Sequence, residues 1–357
     1  MSLPGHEPIS LGPRHPSSIS LISIHAEIDG DEIVTADVTS GYGHRGAEKL
    51  FEVRDYRSMI MLADRHDWLA AFSGELGLAL TLDNAMRLTP PPRATLLRTL
   101  LAELARIHSH LSFLSYLAPD PAVGLWDTVE AIRGRLLAWA GNRIHPMLNR
   151  VGGLASDAPN GWLEALDPVL DDVARLADAL RRKLAATERF RGLAVLDRDA
   201  CLGYGLSGPV ARAAGLDLDR RVTGYLTYGR VFHPAPLRRA GDAESRLGVL
   251  IDELVTSADM VRAARSLAAT TPGEVSTRLS RRLKVPEGEH VTDIEAPWGV
   301  ASCHMVSRGG QTPWRVGLRT PSFANLSALG PALAGVRLGQ LPDVVASLGY
   351  TVGDADK

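Results

Sequence analysis

Between residues 97 and 111 the apolar side chains Leu97, Leu100, Leu101, Leu104, Ile107 and Leu111 recur three and four positions apart. That spacing lines one face of an α-helix, and a strand, with its period of two, cannot use it. The run Thr89-Pro-Pro-Pro92 predicts where the helix starts. Threonine is a good N-cap, and prolines are tolerated in a first turn whose N–H groups lack intrahelical partners. The helix is expected to reach about Leu117, with Pro119 ending it. Similar patterning predicts further helices over about 125–148, 161–187 and 242–269.

Two short β regions flank this helical stretch. Ile22, Ile24, Ala26 and Ile28 alternate with Ser23, His25 and Glu27, and Asp29-Gly30 separates them from a second run, Glu32 to Val38. A period of two on both sides of a turn dipeptide predicts a hairpin. From His290 the period is strand-like again, with Val300–Val306 and Arg315–Arg319 on either side of Gly309-Gly310. The fold class expected is mainly α with small β elements (α+β). The segments are 1–60 (N-terminal loop and β-hairpin), 61–289 (helical core) and 290–357 (C-terminal β element and tail), packed as one unit.

Composition narrows the function. The 39 Lys and Arg against 41 Asp and Glu give a net charge of -2, so nothing draws this chain electrostatically to nucleic acid or an anionic membrane. No stretch of 18 apolar residues exists; the longest candidate, Leu69 to Leu82, is interrupted by Glu75, so no membrane-spanning helix is expected. The N-terminus lacks the apolar core of a signal peptide. The only cysteines, Cys201 and Cys303, suggest a reducing compartment and cannot by themselves ligate an iron–sulfur cluster.

Local motifs add little chemistry. Gly203-x-Gly205-x-x-Gly208 matches a dinucleotide fingerprint in letters, but no strand precedes it, Pro209 follows at once, and no acidic residue sits about 20 positions on. A turn leading into a helix is the better reading. Glu103, Arg106 and His110 share one helix face, as an ion pair with a hydrogen-bonded histidine inside a bundle would. His108 and His110 point apart and cannot chelate one metal.

A larger pattern runs along the whole chain. Gly12-Pro-Arg-His-Pro16, Gly43-His-Arg-Gly-Ala-Glu-Lys49, Pro91-Pro-Arg-Ala94, Glu103-x-x-Arg106 with His110, Arg150-x-Gly-Gly153, Arg212-Ala-Ala-Gly215, Glu295-Ala-Pro-x-Gly299, Pro321-Ser-Phe-Ala-Asn-Leu326 and Asp343-Val-Val-Ala-Ser347 occur in this order. They resemble the 49-kDa-type (D-type) subunit of NADH:quinone oxidoreductase, respiratory complex I. That family is related to the large subunit of nickel-iron hydrogenases, whose metal is held by two Cys-x-x-Cys pairs because soft metals select sulfur. At the matching positions this chain has Asp67 and Ala70, then Thr351 and Asp354. Arg106-Ile-His-Ser-His110 and Asp83-Asn-Ala-Met86 look closer to the membrane-bound hydrogenases.

The resemblance implies a hydrogenase-large-subunit-like helical core and a role in electron transport. This chain would pack on an iron–sulfur small subunit, and the two would enclose a quinone head group. Other complex I-like subunits, membrane subunits included, would be further partners, at the cytoplasmic face of the cell membrane. This chain would itself bind no metal, NADH or flavin; the iron–sulfur cluster belongs to the partner and quinone is the substrate. In the family an Asp, a Tyr and a His serve the quinone. The matching positions here are Asp120, Trp68 and Ile19, with His15 retained near the last. Trp68 can donate an N–H but cannot give up a proton as a phenol does, and Ile19 can do neither. Asp120, between Pro119 and Pro121, has no evident structural duty. His44-Arg45 matches the segment near the partner's cluster, where a fixed cation would raise its reduction potential; an Arg45–Glu48 ion pair is the alternative. Besides a quinone-reducing subunit, the same fold fits a structural or coupling subunit with a lost or altered pocket. An active hydrogenase is disfavoured by the missing thiolates.

Overall fold

A computed structural model describes the backbone of residues 7–9 and the whole of residues 22–357, apart from the Pro121 side chain. His15 and Ile19 lie outside the described residues. The centre is a pair of long helices, Pro92–Leu114 and Ala243–Ala269, packed along each other and buried over most of their length. Asp167–Ala185 packs on the second, and Ala71–Ala85 and Leu125–Ala140 on the first. The leucines predicted to line one helix face, from Leu97 to Leu111, are all within 1% of full burial. Each such side chain stabilises the fold by about 1.5–3 kcal/mol relative to exposure.

The helix ends differ from expectation for local reasons. The first long helix begins at Pro92 with Pro91 at the N-cap, not Thr89, and no side chain caps it. A residue before proline is pushed out of the helical region, so Thr89, Pro90 and Pro91 stay extended. It ends at Leu114; the amides of Leu117 and Ala118 still bond the Leu114 carbonyl in a tightened last turn. The next helix stops at Ala140, because Gly141 adopts φ 74° and the Asn142 side chain then accepts from the amides of Ile144 and His145. The third begins at Asp167, with Pro168 in its first turn. Asp242 caps the last through the Ser245 amide, 2.8 Å.

The hairpin forms as Ser23–Asp29 against Glu32–Thr39, with a register shift at Glu27/Ile28. Glu7–Ile9 pairs on one side of it and Val336–Arg337 on the other, which ties the last part of the chain to the first. The C-terminal sheet is an antiparallel meander, Gly288–Ala296, Gly299–Ser307 and Arg315–Arg319, lying on the Ala71–Ala85 helix. Gly208, the last glycine of the fingerprint-like run, opens the short helix Gly208–Ala213, and the short helix Arg198–Gly203, not a strand, comes before the run.

Glu103, Arg106 and His110 do form a structural cluster, larger than the helix face alone suggests. Glu103 accepts from Arg106 (3.2 Å), Arg221 (3.1 Å), Ser257 (2.6 Å) and Tyr228 (2.6 Å). Glu253 accepts from His110 Nε2 (2.8 Å) and Arg212 Nε (2.8 Å), and Arg212 continues to Glu295 (2.8 Å). Arg106 also donates to the carbonyls of Glu295 and Ala296. The cluster joins both central helices to the C-terminal sheet, and charge pairs that are also hydrogen-bonded can sit in an apolar interior.

Glu75, the charge that interrupts the apolar run, is fully buried and accepts from the amides of Met147 (2.5 Å) and Asn149 (2.9 Å). Burial pushes its carboxyl up to about 8. A folded-state value above the unfolded one means the folded chain holds a proton that the unfolded chain releases. The stabilisation is therefore complete below about pH 4 and is lost as pH rises toward 8. Glu75→Gln should flatten that part of a stability-versus-pH curve, by up to about 1.4 kcal/mol per pH unit. Urea unfolding at a series of pH values checks it, and an unchanged slope contradicts it.

Candidate functional site

Three segments remote in sequence meet at one edge of the helical core: the Gly41–Gly46 loop, the turn 64–70, and the C-terminal tail 351–357. Asp356 clamps the loop. Its carboxylate accepts from the amides of Gly41 (2.6 Å) and Gly43 (2.7 Å), and its carbonyl accepts from the His44 ring (2.9 Å). Arg45 donates to the Arg65 carbonyl (3.1 Å), and so holds the loop to the turn. The alternative pairing of Arg45 with Glu48 does not occur: Glu48 pairs with Arg315 at 2.8 Å. His44 and Arg45 are exposed.

The tail reaches Trp68 through Gly353. A Cβ on Gly353 would stand 2.2 Å from the Trp68 ring and 2.4 Å from the His66 carbonyl, so only glycine allows this approach. Trp68 is half-buried and lines an open groove with Gly43, Arg45, Gly353 and Lys357. On its other side is a narrow cleft lined by His108 and Leu136. His108 accepts from Arg133 (3.0 Å) and donates to the Leu69 carbonyl (3.2 Å); burial, then the Arg133 charge, push it down to about 4 and keep it neutral.

The fold thus brings Trp68 and His44-Arg45 together. It places Asp120 elsewhere, exposed on the turn after the Pro92–Leu114 helix and outside both spaces lined by Trp68. Asp120 also has a structural duty that its sequence context did not reveal. Its side chain accepts from the Ala122 amide (2.9 Å) and its carbonyl from the Val123 amide (3.1 Å), which forms the 3-10 turn Pro121–Val123.

Behind Trp68 are residues that the sequence marked only as replacements for thiolates. Asp67 and Asp354 are both buried. Asp67 accepts from the Ala70 amide (3.3 Å), and Asp354 from the Ser322 amide (3.2 Å), with His66 Nε2 at 3.6 Å. Burial, then the charge of Asp354, push Asp67 up to about 8; burial raises Asp354 too. Among the described residues no group of three or more His, Cys, Asp or Glu side chains could hold a metal ion. Cys201 and Cys303 are free and buried, and burial pushes both thiols up to about 11, so neither is a thiolate at neutral pH.

Comparison with known proteins decides which family this architecture represents. The family model for the respiratory-chain NADH dehydrogenase 49 Kd subunit matches residues 123–278 and 274–357. The chain belongs to that family. One of the D-type NADH-quinone oxidoreductase subunits of Salinispora tropica is 42% identical over 98% of this chain and 92% of that protein. A D-type subunit of the same enzyme in Streptomyces coelicolor is 40% identical over 98% of this chain and 94% of its own length. The C/D-type subunit of NADH-quinone oxidoreductase in Cereibacter sphaeroides is 32% identical over 98% of this chain and 66% of that protein. The part matched by the 49 Kd family model includes Asp354 and Asp356; Trp68, His44, Arg45 and Asp120 fall in the part covered by the D-type relatives. Among the described residues, no helix of this family member is long and apolar enough to cross a membrane.

Proposed function

We propose that this chain is the D-type (49-kDa-type) component of a complex I-like NADH:quinone oxidoreductase and forms one wall of a quinone site against an iron–sulfur small subunit. The observation that carries the reading is the meeting of the Gly41–Gly46 loop, Trp68 and the tail at one edge, with His44 and Arg45 exposed beside it. The complex would sit peripherally on the cytoplasmic face of the membrane through its membrane subunits. NADH would be oxidised elsewhere in it, and electrons would reach this edge through the partner's cluster.

The chemistry at the edge follows from the residues. Quinone reduction takes two electrons and two protons, so the site needs hydrogen-bond donors at the oxygens and a proton source. The Trp68 indole N–H orients an oxygen without losing its proton. The Arg45 guanidinium would stabilise negative charge on a cluster or on a partly reduced quinone nearby.

The exposed, turn-forming position of Asp120 favours a second reading, in which the pocket is altered and the chain acts as a coupling subunit. The substitution Asp120→Asn separates the two. If Asp120 serves the quinone, steady-state quinone reductase activity of the assembled complex falls about 100-fold or more, the usual cost of losing a placed proton-transfer group. If it only forms the turn, which an Asn carbonyl oxygen also does, activity is unchanged. Ile19→His combined with Trp68→Tyr is then the change that raises activity.

A further inference from the structure

We propose that Asp67 and Asp354 form a buried acid pair that holds one proton between them and delivers it past Trp68 to the substrate. Each carboxyl is adjacent in sequence to a residue of the Trp68 contact, Asp67 to Trp68 itself and Asp354 to Gly353, whose backbone lies against the indole. Both side chains line a narrow pocket together with His66, Arg319 and Thr320. Two unpartnered, buried polar atoms, His66 Nδ1 and Thr320 Oγ1, belong to residues lining that pocket. Such atoms are positions where a water or a transferred proton finds a partner.

The surroundings favour one proton over none or two. Two carboxylates close together in a buried site cannot both ionise cheaply, so one proton is retained when the first is lost. Opposing charge bears mainly on Asp354, where His66, 3.6 Å away, favours the charged form. Burial pushes His66 down, Asp354 opposes this, and Lys357 and Arg45 add to it from the tail and the loop. Lys357 also favours the charged form of Asp354. Arg319 is shared with Asp293 and Glu295. The Ala70 amide and the Thr351 side chain favour the charged form of Asp67, and the Ser322 amide and side chain that of Asp354, while burial opposes charge on both.

In turnover the balance is simple. A quinone takes two electrons from the partner's iron–sulfur cluster and two protons; one carboxyl O–H bond breaks as one quinol O–H bond forms, and the second proton comes from water. The pair is left with two negative charges and recovers its proton from solvent through the pocket. This use rests on the quinone reading above, whereas the holding of the proton does not.

The test is infrared difference spectroscopy of the assembled complex across a pH titration, with quinone reductase kinetics beside it. In a Glu75→Gln background, which removes the other buried carboxyl pushed up to about 8, the complex should show a protonated carboxyl C=O band that disappears as pH rises through about 8 and is absent once Asp67→Asn is added. Removing the like charge in Asp354→Asn should move the loss of that band to lower pH, which checks the assignment even if Asp67→Asn assembles poorly. Where the complex reduces quinone, Asp67→Asn should lower kcat about 100-fold or more, and Asp354→Asn should shift the falling limb of the pH–kcat profile to lower pH. A band unaffected by either substitution, or a wild-type rate and pH profile in both variants, overturns the proposal. A complex that shows the band but reduces no quinone overturns the quinone reading and leaves the proton site standing.

Discussion

Replacing Glu253 with glutamine is expected to destabilise this chain by about 3–5 kcal/mol, the cost of removing one partner from a buried charge cluster. Glu253 is fully buried between the two central helices and neutralises Arg212, with His110 on its other oxygen and Arg106 at 3.8 Å. Surrounding positive charge holds its carboxyl well below the usual range despite the burial that opposes this. A glutamine keeps the shape and loses the charge. Arg212 would then lean on Glu295 and Asp219 alone, and Arg106 on Glu103. Alanine at Arg212 should cost a similar amount for the opposite reason, leaving carboxylates unpaired. Pulse proteolysis of the chain in the assembled complex, across a urea series, measures the loss; a midpoint within error of wild type would show that the cluster is not what joins the helices to the sheet.

Gly353→Ala is expected to reduce quinone turnover about 100-fold while the helical core stays folded. The added Cβ meets the Trp68 ring and the His66 backbone carbonyl at distances no real Cβ tolerates, so the tail or the indole must move. A shift of about 1 Å in a reacting geometry is enough for such a loss. The tail adds Val352 and Ala355 to the main core but no residue to the two central helices, so protease resistance of those helices should change little. Near-normal turnover in Gly353→Ala would remove Trp68 and the tail from the site.

Elements set by local periodicity were legible in the sequence. The hairpin and the long helices needed only alternation, leucine spacing and a turn dipeptide. Their ends were misjudged where two local rules compete: Thr89 is a good cap in isolation, but the prolines after it hold it outside the helix, and Gly141 stops a helix that the apolar pattern alone would continue. The Glu103 face was visible because its members are within two helical turns, whereas Glu253, Arg212 and Arg221 lie far along the chain and no spacing connects them. The candidate site shows the same limit. Its segments are joined by backbone amides and one glycine contact, features that carry no side-chain pattern. The turn that Asp120 makes was hidden by its proline neighbours. The signal for Asp67 and Asp354 was present as carboxylates at two positions that the resemblance matches to hydrogenase thiolates, but only the fold shows that both are buried together.

The most direct measurement is purification of this chain, tagged, from gently solubilised membranes, with the co-purifying complex tested by low-temperature EPR and for quinone reductase activity. A partner carrying an iron–sulfur cluster that a donor such as NADH reduces and added quinone reoxidises is the predicted result. Recovery of the chain as a free monomer, or in a complex whose reduced cluster does not respond to quinone, would contradict the proposed role.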